Sequence, residues 1–176
     1  THPTLLDSIN ILWGKIGIRS RVTNPYEDKT KGEMVKKCSD PSFLESIIAL
    51  SNSCGKRGHK RYWLQRNATH CGVCMPCIYR QAALNKIKDA TTYGTTINAL
   101  NFKSDKGQSF GACLDFINND FNNQKINSEL IINGVQNLEK LSTYRDVVMR
   151  TREELITWVK ATGSEEVLEK AGLKHD

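Results

Sequence analysis

The sequence predicts a mainly α-helical chain with one short β element and a four-cysteine knot. Three observations carry this prediction. Apolar residues recur at helical spacing in most segments, strict apolar/polar alternation is confined to "IRSRV" at 18–22, and four of the six cysteines fall between positions 54 and 77. At 176 residues and 39% hydrophobic composition, the chain is long enough to bury a core of its own.

In "PTLLDSINILWGKIG", Leu5, Leu6, Ile9, Leu12, Trp13 and Ile16 lie at helical spacing, and Gly14 and Gly17 weaken the end of the predicted helix. "IRSRV" then reads as a short strand with one basic, wet face, closed by Asn24-Pro25. Thr30 followed by Glu33 is a capping-box pattern that starts a helix with Met34, Val35 and Cys38 on one side, ending near Asp40-Pro41. "PSFLESIIALSN" opens with Pro at a helix start and carries a strongly apolar stripe. "GKRGHKRYWLQRNATH" shows no periodicity and reads as a basic loop. Ile78, Ala82, Ala83 and Ile87 predict a helix leaving the cysteines.

Residues 90–109 read as a loop with at most a short strand, and "FGACLDFINNDF" as a helix. The many Asn residues from 118 to 127 mark a loop. "SELIINGVQNLEKL" and "YRDVVMRTREELITWVKATG" continue the helical pattern up to Gly163, and "SEEVLEKAG" is a last short helix capped at Ser164 and ended at Gly172.

No apolar run approaches the roughly 18 residues needed to cross a bilayer, and no lipidation motif is present. A soluble protein without a membrane partner is expected. The opening "THPTLLDS" has neither an initiator Met nor the pattern of a signal peptide, and reads as a trimmed or processed start. Clustered rather than dispersed cysteines fit a metal in the reducing cytoplasm better than a disulfide scaffold. The net charge of +6 is uneven: residues 1–88 carry 15 Lys and Arg against 6 Asp and Glu, and the remainder 10 against 13. An anionic partner would meet the first half.

Cys71-Gly72-Val73-Cys74 and Cys74-Met75-Pro76-Cys77 overlap, so three sulfurs come from seven residues, and Cys54 supplies the fourth. Cys-x-x-Cys brings two thiolates onto one ion through a tight turn, where Gly tolerates unusual dihedrals. Tetrahedral Zn2+ suits four thiolates and keeps no open position, which makes the site structural. A redox Cys-x-x-Cys and an iron–sulfur cluster share the spacing. His59 and His70 are alternative ligands. Cys38 and Cys113 read as buried small hydrophobes.

Lys56, Arg57, His59, Lys60, Arg61 and Arg66, interleaved with Tyr62 and Trp63, form a basic run that can grip nucleotide phosphate or nucleic acid, or lie solvated. Glu27 and Asp28 can position an ammonium or a metal, or serve a turn. Tyr93 and Asp115 read as structural.

"SCG" followed by "CGVCMPCIYR" resembles the zinc motif of the 7-cyano-7-deazaguanine synthase family, and "NPYEDKTKGEMV" resembles the Pro, Thr-Lys and acidic helix start that precede it there. The resemblance covers roughly residues 20–85. It implies the C-terminal portion of an adenine nucleotide alpha-hydrolase-like α/β protein over residues 1–90, carrying the zinc knot, with a helical extension over 91–176. It also implies an ATP pyrophosphatase activity that adenylates 7-carboxy-7-deazaguanine, releases pyrophosphate and uses ammonia to reach the nitrile. The family's Ser-Gly-Gly-x-Asp-Ser phosphate loop is absent from this sequence. ATP and Mg2+ would therefore enter only with an N-terminal ATP-binding half. "HCGVCMPCIYRQAAL" and the long tail look like the synthase-like proteins of Qat-type anti-phage operons, which implies related chemistry on a deazapurine acid with a protein amine as a further acceptor. Operon proteins or a second copy of the chain are the implied partners.

Carried over by position, Lys31 matches the Thr-Lys lysine and would neutralise charge as pyrophosphate leaves. Arg80 matches the Arg three residues past the last Cys and would contact a carboxylate or phosphate. Lys56, Arg57, Lys60 and Arg61 would face the nucleotide. A non-catalytic zinc-knuckle module holding nucleic acid is the competing expectation.

Overall fold

The computed structural model describes residues 2–102, 104–105 and 107–173, without the side chain of Tyr62, so the stacking role considered for that ring lies outside the described residues. The chain is mainly helical. Its helices are α1 (Pro3–Lys15), α2 (Lys31–Lys36), α3 (Pro41–Ile47), α4 (Met75–Leu84), α5 (Gln108–Asn118), α6 (Asn123–Ile132), α7 (Leu141–Thr162) and α8 (Glu165–Lys170). Short 3-10 turns occupy Ile48–Leu50, Arg57–Tyr62, Ile97–Ala99 and Leu138–Lys140.

The strand expected at 18–22 does not form. Val22 satisfies both its backbone groups with the side-chain amide of Asn10, at 2.9 Å each, so no neighbouring strand is required. Among the described residues the β element is reduced to one isolated parallel bridge between His70 and Tyr93.

Two compact units take chain from both sides of residue 90. The first comprises Thr1–Thr30 and Asp120–Arg150. Here α1 is tied to the chain after α6 by the Thr4 hydroxyl donating to the Gly134 carbonyl, and His2 Nε2 lies 3.0 Å from the Asn133 carbonyl. Glu27 accepts from the Lys140 ammonium and from the Tyr144 hydroxyl, while Arg150 donates to the Asp28 carbonyl at 2.7 Å. The acids at 27 and 28 thus meet lysine ammonium groups of the chain itself, Asp28 pairing with Lys29.

Asn122 accepts from the Lys125 N–H and starts α6 at Asn123, so the Asn-rich stretch is a loop only up to its cap. The helical pattern predicted across 128–141 breaks at Gly134, whose φ of +91° is a left-handed conformation suited to glycine.

The second unit, Lys31–Asn119 with Thr151–Asp176, holds the main core. Phe110, Cys113, Leu114 and Ile117 of α5 recur at i, i+3, i+4 and i+7 and are buried, and they pack with Leu155, Trp158 and Val159 of α7 and Ile78 and Ala82 of α4. Phe110 meets Trp158 edge to face at a centroid distance of 6.0 Å. Val167 and Ala171 close the cluster from the C-terminal end. Arg152 donates to the carbonyls of Phe116 and Ile117, and so places a cation on the open C-terminal end of α5.

Within this unit α2 begins at Lys31, as the Thr30 pattern predicts, but it ends at Lys36, short of Asp40-Pro41. Asp40 instead accepts from the Phe43 N–H and caps α3, competing for the chain before α2 can extend. The apolar stripe expected along 41–52 is buried only at Ile48, with Phe43 60% and Leu50 83% exposed. Ser164 stands at the N-cap of α8 without a capping bond from its hydroxyl; its N–H donates to Asn98 instead.

Phe110→Ala is expected to lower unfolding free energy by about 3–5 kcal/mol. The exposed Phe43→Ala should stay within about 0.5 kcal/mol of the parent. Denaturant titration of both variants checks the assignment of core and surface.

Candidate metal centre

Each sulfur arrives by a different local device. Asn52 accepts from the Cys54 N–H at 3.1 Å and bends the chain so that Cys54 turns inward. Cys71 and Cys74 flank Gly72, whose φ is +86° and where an added Cβ would stand 2.2 Å from the Thr95 carbonyl oxygen. Only glycine fits there, on both conformation and space. Cys74 is the N-cap of α4, Pro76 follows within its first two positions, and Cys77 lies in its first turn. Gln81, one turn on, donates to the Gly72 carbonyl at 2.7 Å and holds the turn against the helix.

The four Sγ atoms all lie within 4.8 Å of one another. Cys71, Cys74 and Cys77 are buried and Cys54 is half-buried. The Cys71 and Cys77 sulfurs stand 3.8 Å apart. A disulfide needs about 2.05 Å, whereas a tetrahedral ion with bonds of about 2.3 Å spaces its sulfurs by about 3.8 Å. The donor set therefore fits a thiophilic metal ion of tetrahedral preference, zinc among them.

Backbone amides support the charge such a site carries. Cys71 N–H donates to Cys54 Sγ at 3.3 Å, and the N–H groups of Val73 and Cys74 donate to Cys71 Sγ at 3.4 and 3.3 Å. The amides of Cys77 and Gly55 do the same for Cys74. Without an ion, the sulfurs share protons. Cys74 accepts from Cys71 and Cys77 and is held far below the ordinary thiol range. Cys71 is pushed up to about 11 by its bond to Cys74, and Cys77 is pushed up by its bonds to Cys71 and Cys74. A cation replaces these shared protons, so its retention weakens as acid returns them.

His70 and His59 are outside the sulfur group. His70 is buried, and desolvation together with the nearby Arg80 charge keeps its pKa below the ordinary imidazole value. Its Nε2 accepts from the Ser53 N–H at 3.3 Å, which leaves the ring proton on Nδ1 to face Thr69 Oγ1 at 3.0 Å. His59 is exposed. Cys113 is fully buried in the α5 core, its thiol pushed up to about 12 by desolvation. Cys38, expected to be buried, is half-buried, because the chain leaves α2 before it and its thiol donates to the Asp40 carbonyl.

The basic run expected to be a loop contains the 3-10 turn Arg57–Tyr62. Arg57, Arg61 and Arg66 are exposed, whereas Trp63 is buried, with so little space over its ring that a Cβ at Gly94 would stand 2.6 Å from it. Lys60 Nζ lies 5.8 Å from the Trp63 ring centre. Lys56 lines a cavity of about 460 Å³ beside the cysteines, together with His59, Trp63, Val73, Thr95 and Asp105.

Lys31 is exposed at the start of α2, and the Gly32 N–H behind it donates to Glu154 at 3.2 Å. Arg80 is buried on α4, with its guanidinium donating to Ser51 Oγ, the Ile48 carbonyl and Thr91 Oγ1 at 2.8, 2.6 and 2.9 Å. α2 packs on α4, so the elements bearing Lys31 and Arg80 are neighbours. Sequence reasoning missed two polar residues around the cysteines, Ser53 on His70 and Gln81 on Gly72, and gave no partner to Tyr93, whose hydroxyl donates to Asp89 at 2.6 Å. The position of His70 directly before Cys71 was the one available signal for the first of these.

Cys74→Ser is expected to lose the bound metal and to melt at lower temperature, because metal-binding energy is folding energy in such a site. Cys38→Ser should keep both. Elemental analysis of the purified variants beside their thermal melts decides, and a Cys74→Ser protein with full metal content would refute the ligand set. Compared with known proteins, the chain matches no family model, no curated protein and no solved structure.

Proposed function

We propose that Cys54, Cys71, Cys74 and Cys77 hold a structural Zn2+ and that the chain is the zinc-containing C-terminal part of a 7-cyano-7-deazaguanine synthase-like ATP-dependent ligase. One observation carries this reading. The two motifs on which the resemblance rests, separated in sequence by about forty positions, sit on helices that pack together, α2 with Lys31 and α4 with the last cysteine. A shared site is a physical reason for such packing; a zinc knuckle alone does not require it.

With four thiolates around it, the ion has no position for a reacting water, so its part is to hold the fold. The reaction proposed is attack by a deazapurine carboxylate oxygen on the α-phosphorus of ATP, breaking the α–β phosphoanhydride and releasing pyrophosphate. Ammonia or a protein amine then attacks the acyl carbon and AMP leaves. Lys31, a cation at a helix start where the macrodipole disfavours it, would neutralise the departing pyrophosphate. Lys56, Arg57, Lys60 and Arg61 would present positive charge to the nucleotide. ATP and Mg2+ would be held by an ATP-binding half of the adenine nucleotide alpha-hydrolase type.

A second reading, a zinc knuckle that binds nucleic acid, is favoured by the exposure of Arg57, Arg61 and Arg66 on one short basic segment.

The polypeptide made from the native gene is expected to exceed 19.9 kDa and to release AMP and pyrophosphate from ATP when given 7-carboxy-7-deazaguanine. Lys31→Ala in that polypeptide should keep the melting temperature and lose at least about tenfold in turnover. Turnover unchanged by Lys31→Ala would remove this lysine from the mechanism. Salt-sensitive binding to random-sequence DNA or RNA, with no AMP formed, would replace the ligase reading with the second one.

A further inference from the structure

Cys54 is the only one of the four sulfurs that comes from outside the run 71–77, and it lies seventeen positions before Cys71. Something must hold its approach. The segment leading into it is fixed at two points. Arg80 grips the first, donating to the Ile48 carbonyl at 2.6 Å and to Ser51 Oγ at 2.8 Å. The same Ser51 hydroxyl donates to the Ile48 carbonyl at 2.8 Å, so serine and guanidinium close a ring of bonds at the end of the 3-10 turn. His70 grips the second, accepting the Ser53 N–H one residue before the ligand.

Arg80 belongs to α4, which begins at the knuckle, with Cys77 in its first turn. Its third bond, to Thr91 Oγ1, ties in the chain that follows the helix. No carboxylate forms a salt bridge to the guanidinium among the described residues. A buried guanidinium is costly to leave without its acceptors. If residues 48–51 moved away, Arg80 would lose two of these three bonds, and that cost holds the segment in place.

We infer that Arg80 is a positioning residue for the metal centre: anchored on α4, it holds residues 48–51 so that Cys54 is delivered to the other three sulfurs. The inference rests on the four-cysteine metal reading and is independent of the ligase reading. It gives the arginine a task that needs no substrate, and it makes the 48–53 segment part of the site.

The test is a double-mutant cycle on the full chain, with Zn2+ affinity read by competition against a chromogenic chelator. Arg80→Gln is expected to weaken binding by about 10–100-fold, the range for groups that orient a ligand. Cys54→Ser by itself tests the ligand reading and should also weaken binding. In the double variant, Arg80→Gln should add no more than about twofold to the loss caused by Cys54→Ser, because the arginine acts through that sulfur. In zinc-loaded Arg80→Gln, Cys54 should be alkylated ahead of Cys71, Cys74 and Cys77, as read by peptide mass spectrometry. Unchanged affinity in Arg80→Gln, or losses that add in full in the double variant, would overturn the inference while leaving the ligand set intact. Should Arg80→Gln fail to fold, Ser51→Ala takes its place in the same cycle, and full additivity there overturns it equally.

Discussion

Four thiol sulfurs drawn to within bonding range of one centre are the constraint around which the second unit is arranged. Deprotonated, they repel one another and need a cation. Protonated, they are weak donors crowded in a buried space. The amides aimed at Cys54, Cys71 and Cys74 place N–H donors where negative charge would gather on the sulfurs. A structural zinc in a comparable setting contributes about 10–16 kcal/mol at neutral pH, the size of a whole domain's stability. The small buried cluster of Trp63, Ala68 and Val73 is built around these cysteines.

α4 joins this centre to the apolar core. Its first turn supplies Cys77; Ile78 directly after it and Ala82 one turn further on enter the cluster with Phe110 and Trp158, and Arg80 and Gln81 reach back to the loops on either side. Ten residues thereby serve the cysteine cluster, a core and two loop anchors. A helix used on so many sides has little freedom to shift, and this gives the cysteines a fixed reference.

The parts legible in the sequence were those whose cause is local or periodic. The cysteine spacing identified all four converging sulfurs, and the need for Gly72 followed from the turn between two of them. The segments "FGACLDFINNDF" and "YRDVVMRTREELITWVKATG" read as helical, and α5 and α7 lie there with buried faces. What the sequence did not show depends on partners far along the chain. "IRSRV" alternates like a strand, yet a strand needs a neighbour, and Asn10 answers its backbone instead. The Asn-rich stretch reads as a loop by composition, but one Asn serves as a cap and a helix starts behind it. Arg80 was recognisable as a residue of interest, whereas its acceptors lie about thirty positions upstream and eleven downstream, beyond any local pattern.

The contact between Gly94 and Trp63 restricts how this sequence can diverge. The indole leaves no room for even a methyl group at position 94, so drift at either site is tied to the other. The Cβ of Trp63 would stand 2.8 Å from an added Cβ at 94, so a side chain there needs the backbone as well as the ring to shift. The exposed arginines at 57 and 61, which look like the functional part of the segment, are under no such steric restriction. Variation among descendants of this chain would thus be most correlated where a glycine faces a tryptophan.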